Sequence, residues 1–207
     1  MADPPQQPPE ASPPPHLRVG EPSPWVCRFE PLIRPGGAAL DLACGGGRHA
    51  RYLLDHGHPV TMVDRDVGAV LDLRGRPGAE IIAADLEGDA PWPTAKRTFA
   101  AVVVVNYLHR PLFPHLLAAL AVDGVLIYET FARGNERFNR PRNPAHLLRC
   151  GELLEAVRGH LQVIAYEHGI DRAMPLPGVK QRLCAVNAGP AADRDDGEPD
   201  PRPLRPE

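Results

Sequence analysis

Three consecutive glycines, Gly45, Gly46 and Gly47, stand in the run LDLACGGGRHA from Leu40 to Ala50, between an apolar segment and a helix-like stretch. Glycine lacks a Cβ, so the backbone can turn sharply and approach a ligand closely. The helix behind it offers unpaired N–H groups and the positive end of its dipole. That combination is a nucleotide cradle. Gly45-x-Gly47-x-x-Ala50 fits a dinucleotide fingerprint, and Asp64 follows close to the ~20-residue spacing at which an acid reaches a ribose hydroxyl. Taken alone, the pattern does not separate NAD from S-adenosylmethionine.

Two carboxylates tilt the choice. Asp41 places a negative charge at the mouth of the loop, where it would repel a pyrophosphate but suit a cofactor bearing an ammonium and a sulfonium. Asp85 can accept a hydrogen bond from an exocyclic adenine amine. A third argument comes from the elements that position these groups.

Those elements read as short apolar strands separated by helical segments, the pattern of a parallel sheet covered on both faces. Ala38 to Leu42 is the first strand and Arg48 to His56 its helix, stopped by Gly57. Val60 to Val63 ends in Asp64, Asp66 caps a helix through Leu73, and Glu80 to Ala84 ends in Asp85. The β-branched stretch Phe99 to Val105 suits a central strand and ends at Asn106. Leu112 to Leu120 is helical, Gly124 to Tyr128 is the fifth strand, and Asn143-Pro144 opens a helix whose apolar face continues through Leu147, Leu148, Leu153, Leu154 and Val157 with a break at Gly151. Only Gly169 to Lys180 separates the last two strands, Leu161 to Tyr166 and Arg182 to Val186, so they pair as an antiparallel hairpin. That reversed strand differs from the all-parallel second half of the dinucleotide fold. Ahead of the sheet, Trp25, Val26, Phe29, Leu32 and Ile33 form one face of a short helix that packs as a lid or brace.

The 207 residues, 43% hydrophobic with a net charge of -3, fit one domain with a core able to fold unaided. Nine of the 26 prolines crowd the first 24 residues, so residues 1–20 are expected to be a disordered arm, 21–187 the folded domain and 188–207 a second disordered tail. No apolar run approaches the roughly 20 residues of a bilayer span, and no signal-peptide pattern is seen, so a cytoplasmic protein is expected. The four cysteines are widely spaced, and His56-x-His58 lacks a third ligand, so neither disulfides nor a metal are expected. Without a basic block, nucleic acid is disfavoured as a partner.

From Asp41-Leu42-Ala43-Cys44-Gly45-Gly46-Gly47 onward, over roughly 31–187, the chain resembles the class I S-adenosylmethionine-dependent methyltransferases. The segments RHARYL, NYLHRPLF and ETF-x-x-GN-x-x-F-x-RP-x-NP are similar to the small bacterial methyltransferases of the tellurite-resistance type. The resemblance implies an α/β, Rossmann-like, doubly wound sheet of seven strands in the order 3-2-1-4-5-7-6 with strand seven antiparallel. It also implies a cofactor site of Asp41, Ala43, Cys44, Gly45, Gly47, Asp64, Arg65, Asp85, Leu86 and Asn106. Asp64 would take the ribose hydroxyls, Asp85 and Leu86 the adenine, and Asn106 would lie beside the methyl group.

Methyl transfer is an in-line displacement, so the protein's part is alignment, a dry pocket and, for a protonated acceptor, a base. His109 leaves the end of the fourth strand and is the expected base, with Tyr107 along the cofactor face. Arg133, Arg140, Arg142 and His146 follow the fifth strand and are the expected acceptor-binding residues, since guanidinium forks suit carboxylate or phosphate. The expected activity is methyl transfer from S-adenosylmethionine to a small molecule. An NAD(P)-dependent oxidoreductase using the same loop, and a non-catalytic cofactor-binding partner protein, stand as the alternatives.

Overall fold

The computed structural model describes residues 19–173, 177–189, 198–199 and 201. The expected arm over 1–20 and tail over 188–207 therefore lie almost wholly outside the described residues. A short helix, α1 (Pro24–Phe29), comes first, capped by the Ser23 hydroxyl, which accepts from the Trp25 N–H. The sheet then follows as β1 (Ala39–Leu42), β2 (Val60–Asp64), β3 (Ala79–Ala83), β4 (Phe99–Val105), β5 (Leu120–Phe131), β6 (Gln162–Asp171) and β7 (Gly178–Val186). Between them lie α2 (Arg48–Asp55), α3 (Phe113–Ala118) and α4 (Glu152–Val157).

The seven strands stand in the order β3-β2-β1-β4-β5-β7-β6. The first five are mutually parallel, and β7 runs antiparallel to both of its neighbours. This is the order and the reversed strand implied by the resemblance. Every residue of β1 and β4 is buried, as apolar strands covered on both faces must be. One core layer packs Trp25, Phe29 and Leu53 from α1 and α2 onto Met62, Val103 and Ile127. The other packs Leu116 and Leu153 from α3 and α4 onto Leu40, Val102 and Tyr128. Strand order reverses between β1 and β4, so a crevice opens at their carboxyl ends.

Three local expectations differ. The stretch after Asp66 winds as 3-10 turns over Gly68–Leu73, because a glycine and so few residues do not sustain an α-helix. The fifth strand is longer than its apolar run and reaches back to Leu120, where it still pairs with Phe99. Asn143 does cap a turn, its Oδ1 accepting from the Ala145 N–H at 3.0 Å, but the turn ends at His146. Leu147 and Leu148 are both fully buried, and Leu148 bridges to Ala132 in extended form. Burying those two leucines against β5 outweighs continuing the helix, which restarts at α4.

Candidate active site

The glycine loop is braced from below by two carboxylates. Gly45 and Gly47 adopt positive φ of 54° and 72°, conformations that favour glycine. A Cβ on Gly47 would stand 2.5 Å from Val70 Cγ1. Asp41 Oδ2 accepts from the Ala50 N–H at 3.0 Å, inside the first turn of α2. Asp64 Oδ2 accepts from the Gly45 N–H at 2.8 Å, and the Gly47 N–H donates to the Cys44 carbonyl at 2.9 Å. The N–H groups at Gly45, Gly47 and Ala50 are thus already satisfied, two of them by carboxyl groups. A pyrophosphate would find few donors here and two carboxyls beneath it.

A cavity of about 410 Å³ opens above this loop, within the range of small-molecule sites. Ala43, Cys44, Gly45, Gly46, Arg48 and His49 form one wall. Asp64, Arg65, Ala84, Asp85, Leu86 and Glu87 form the second, and Val105, Asn106, Tyr107 and His146 the third. Of the expected cofactor residues the structure brings together all but Asp41 and Gly47. Gly47 turns the chain into α2, and Asp41 is only 1% exposed. Its carboxyl is pushed up to about 7 by burial, with the Ala50 N–H and Arg48 opposing and Asp64 adding. Asp41 therefore does not stand at the mouth; it lies under the loop.

The expected catalytic pair separates. Tyr107 lines the cavity, whereas His109 does not and serves as the residue before a 3-10 turn. The Tyr107 hydroxyl is buried and makes no hydrogen bond of ordinary geometry among the described residues. Burial, then the Glu87, Asp85 and Asp64 carboxylates, push this phenol far above its ordinary range, so it remains a donor. A donor left open in an acidic wall is what a ligand with hydroxyl or ring-nitrogen acceptors would complete. The residues present therefore fit an adenosine-bearing cofactor.

On the acceptor side His146 reaches the cavity, while Arg133, Arg140 and Arg142 do not line it. Arg133 pairs with Glu136 at 3.4 Å; Arg140 and Arg142 are exposed, and their guanidiniums have no partner among the described residues. Gly46 of the cradle lines the cavity as well, whereas sequence reasoning missed Arg48, His49, Ala84, Glu87 and Val105. Adjacency to the glycine loop and to Asp85 was the available signal for Arg48, His49 and Glu87. His49 is buried, and its Nε2 accepts from the Ser23 N–H at 3.2 Å. Burial and the neighbouring Arg48 push this imidazole down to about 3, which keeps it neutral. Burial, reinforced by Asp41 and Asp64, pushes the Cys44 thiol far above its ordinary value, so it is packing and not a nucleophile. Among the described residues no cluster of histidines, cysteines or carboxylates could hold a metal ion.

Residues 39–122 match the family model described as a methyltransferase domain. The chain has the fold of the S-adenosylmethionine-dependent methyltransferases. It is similar to TehB from Haemophilus influenzae, with a TM-score of 0.63 and 16% identity over 79% of this chain, and it spans 61% of that protein's length. A TehB-like S-adenosylmethionine-dependent methyltransferase from Corynebacterium glutamicum has a TM-score of 0.54 and 20% identity over 79% of this chain and 86% of its own. The 1,6-didemethyltoxoflavin-N1-methyltransferase of Burkholderia thailandensis, solved with 1,6-didemethyltoxoflavin and S-adenosylhomocysteine, has a TM-score of 0.57 and 21% identity, covering 80% of this chain and 76% of that one. No curated protein matches the chain in sequence. The matched methyltransferase domain and the shared fold are those implied by the resemblance of the run from Asp41 to Gly47.

Proposed function

We propose that the protein transfers the methyl group of S-adenosylmethionine to a small-molecule acceptor that carries an anionic group. One observation carries the cofactor reading: the cradle's N–H groups at Gly45 and Ala50 are held by Asp64 and Asp41. A dinucleotide pyrophosphate would have to displace them against like charge; a cation-bearing nucleoside does not. This observation also weighs against the NAD(P) oxidoreductase. Bound in the cavity, the cofactor supplies the electrophilic methyl group and its own leaving thioether.

The chain's residues supply the rest. Asp64 and Tyr107 would face the ribose, Asp85 and Leu86 the adenine, and Val105 and Asn106 would flank the reacting side; all six line the cavity. His146 enters from the loop after β5 and takes the role expected of His109: it orients the acceptor and accepts its proton where there is one. The anionic group is supported by the segment that carries His146. Between Phe131 and Cys150, the cations Arg133, Arg137, Arg140, Arg142 and Arg149 outnumber the single acid Glu136. A cytoplasmic location fits a chain in which no helix among the described residues is long and apolar enough to cross a membrane.

Calorimetry with S-adenosylhomocysteine and with NADH tests the cofactor, and labelled S-adenosylmethionine with low-mass extract metabolites tests the transfer. Binding of S-adenosylhomocysteine alone, with label entering metabolites retained on an anion exchanger, is expected. Tight binding of NADH alone would sink the reading. Binding of S-adenosylhomocysteine without any label transfer would favour the non-catalytic module.

A further inference from the structure

The segment after β5 is a closed loop. It leaves at Phe131 and returns at Leu148, whose N–H donates to the Phe131 carbonyl at 3.0 Å, while the Arg133 N–H donates to the Leu148 carbonyl at 2.9 Å. His146, near its returning end, is the loop's contribution to the cavity wall. The backbone on both sides of His146 is held by one side chain from elsewhere. Arg110 Nη1 donates to the Ala145 carbonyl at 2.7 Å, and Arg110 Nη2 donates to the Leu147 carbonyl at 2.9 Å.

The same guanidinium is itself fixed. Its Nε donates to Glu152 Oε1 at 2.6 Å and its Nη2 to Glu152 Oε2 at 3.0 Å, a two-pronged pair. Glu152 is buried, and its Oε2 also accepts from the Arg149 N–H at 2.7 Å. Arg110 sits four residues beyond Asn106 in the exit from β4, and that exit is anchored where Tyr128 Oη donates to the Tyr107 carbonyl at 2.9 Å. One planar group thus joins the two segments, the β4 exit and the β5 loop, that together make the third wall of the cavity. A lysine has the charge but not the fork, so it cannot hold two carbonyls and a carboxylate at once.

We infer that Arg110 is a positioning residue for methyl transfer: it sets His146 against Asn106 and Tyr107, and so places the acceptor, while leaving the cofactor's seat unaltered. The inference rests on the methyltransferase reading above. The bonds of Arg110 run to Ala145, Leu147 and Glu152 and none to the glycine loop, Asp64 or Asp85, so its loss separates acceptor handling from cofactor affinity.

The test compares the full native chain with Arg110→Gln, Arg110→Lys, His146→Gln and the double variant Arg110→Gln/His146→Gln. Both Arg110 variants are expected to bind S-adenosylhomocysteine within about threefold of the native chain yet transfer label to the metabolite pool at least about tenfold more slowly. The His146 ring signal in proton–carbon spectra, assigned by its loss in His146→Gln, should move when S-adenosylhomocysteine is added to the native chain and stay put in both Arg110 variants. The double variant should be no slower than the slower single one, because the two residues act as a unit. Arg110→Lys keeps a cation against the buried Glu152 and guards against a folding defect in Arg110→Gln. Native transfer rates in either folded variant, or a ring signal that moves as in the native chain, would overturn the inference alone. A native chain that binds no S-adenosylhomocysteine would overturn the methyltransferase reading and this inference with it.

Discussion

Asp41 and Asp64 lie on adjacent strands, and the same glycine loop uses them differently. Asp64 reaches the cavity wall, whereas Asp41 is sealed beneath it with the Ala50 N–H as its hydrogen-bond donor. Burial lifts the Asp41 carboxyl from 3.8 to about 7, against the pull of Ala50 and Arg48. The folded chain therefore keeps a proton that the unfolded chain gives up above about pH 4. The stability this contributes is complete below that pH and is lost as pH rises to about 7, a drop of roughly 4 kcal/mol. Asp41→Asn should remove that decline, so the difference in melting temperature between variant and native chain should widen in the variant's favour from pH 5 to pH 8. The comparison is made by difference because His49 and Glu129 carry shifts of their own. Ionising Asp41 also adds a negative charge under a site read as binding a sulfonium. In the native chain the preference for S-adenosylmethionine over S-adenosylhomocysteine should rise about fivefold across the same range, a coupling of about 1 kcal/mol. Calorimetry with both ligands on Asp41→Asn should show a flat ratio; an equal rise in the variant would remove Asp41 from the account.

The turn between β1 and α2 depends on what lies behind it as much as on its own glycines. Gly47 combines φ of 72° with a back face against Val70, which is fully buried. Gly47→Ala should therefore cost about 2 to 4 kcal/mol by chemical denaturation, part from the backbone conformation and part from the clash. Adding Val70→Ala relieves only the clash, so the double variant should be more stable than the sum of the single losses; strict additivity would mean that the contact is not felt. This support was not legible in the sequence, where the stretch through Leu73 reads as a helix with nothing to show that Val70 would back Gly47. What was legible followed from burial. Strands buried on both faces write continuous apolar runs, so β1, β2, β4 and the Asp or Asn residues at or beside their ends could be read directly, and the short link to β7 required its reversal. His109 and the arginines around Arg140 were misplaced for the opposite reason. Loop residues carry no periodicity, and which one faces a cavity is decided by long-range bonds such as those from Arg110 to Ala145 and Leu147.

Across the whole molecule, the cavity is tied to the β7-β6 edge of the sheet by a buried ionic cluster. Glu129 on β5 is 2% exposed and Lys180 on β7 3% exposed, and the two are paired. Arg182 Nε donates to Glu129 Oε2 at 2.9 Å, and its other nitrogens reach Glu167 and Asp171 on β6. The Ser23 hydroxyl also donates to Glu129 Oε2, at 2.9 Å, while the Ser23 N–H donates to His49 on the cavity wall. The chain ahead of α1, the final hairpin and the cofactor side of the site thus share one network. Burial pushes the Glu129 carboxyl up, but Lys180 and Arg182 overrule it and hold it below its usual range. Its contribution is therefore present above the ordinary carboxylate pKa and lost as pH falls. Lys180→Met leaves that carboxylate short of a buried partner and should cost about 3 kcal/mol, or on the order of 10 °C in melting temperature. The loss on acidification should begin at higher pH in this variant, because Glu129 takes up its proton more readily. Glu129→Gln/Lys180→Met removes both charges and should recover much of the stability, while S-adenosylhomocysteine affinity recovers only as far as Ser23 still reaches His49. A double variant no more stable than Lys180→Met would show that the loss lies in packing around β7 and not in the stranded charge.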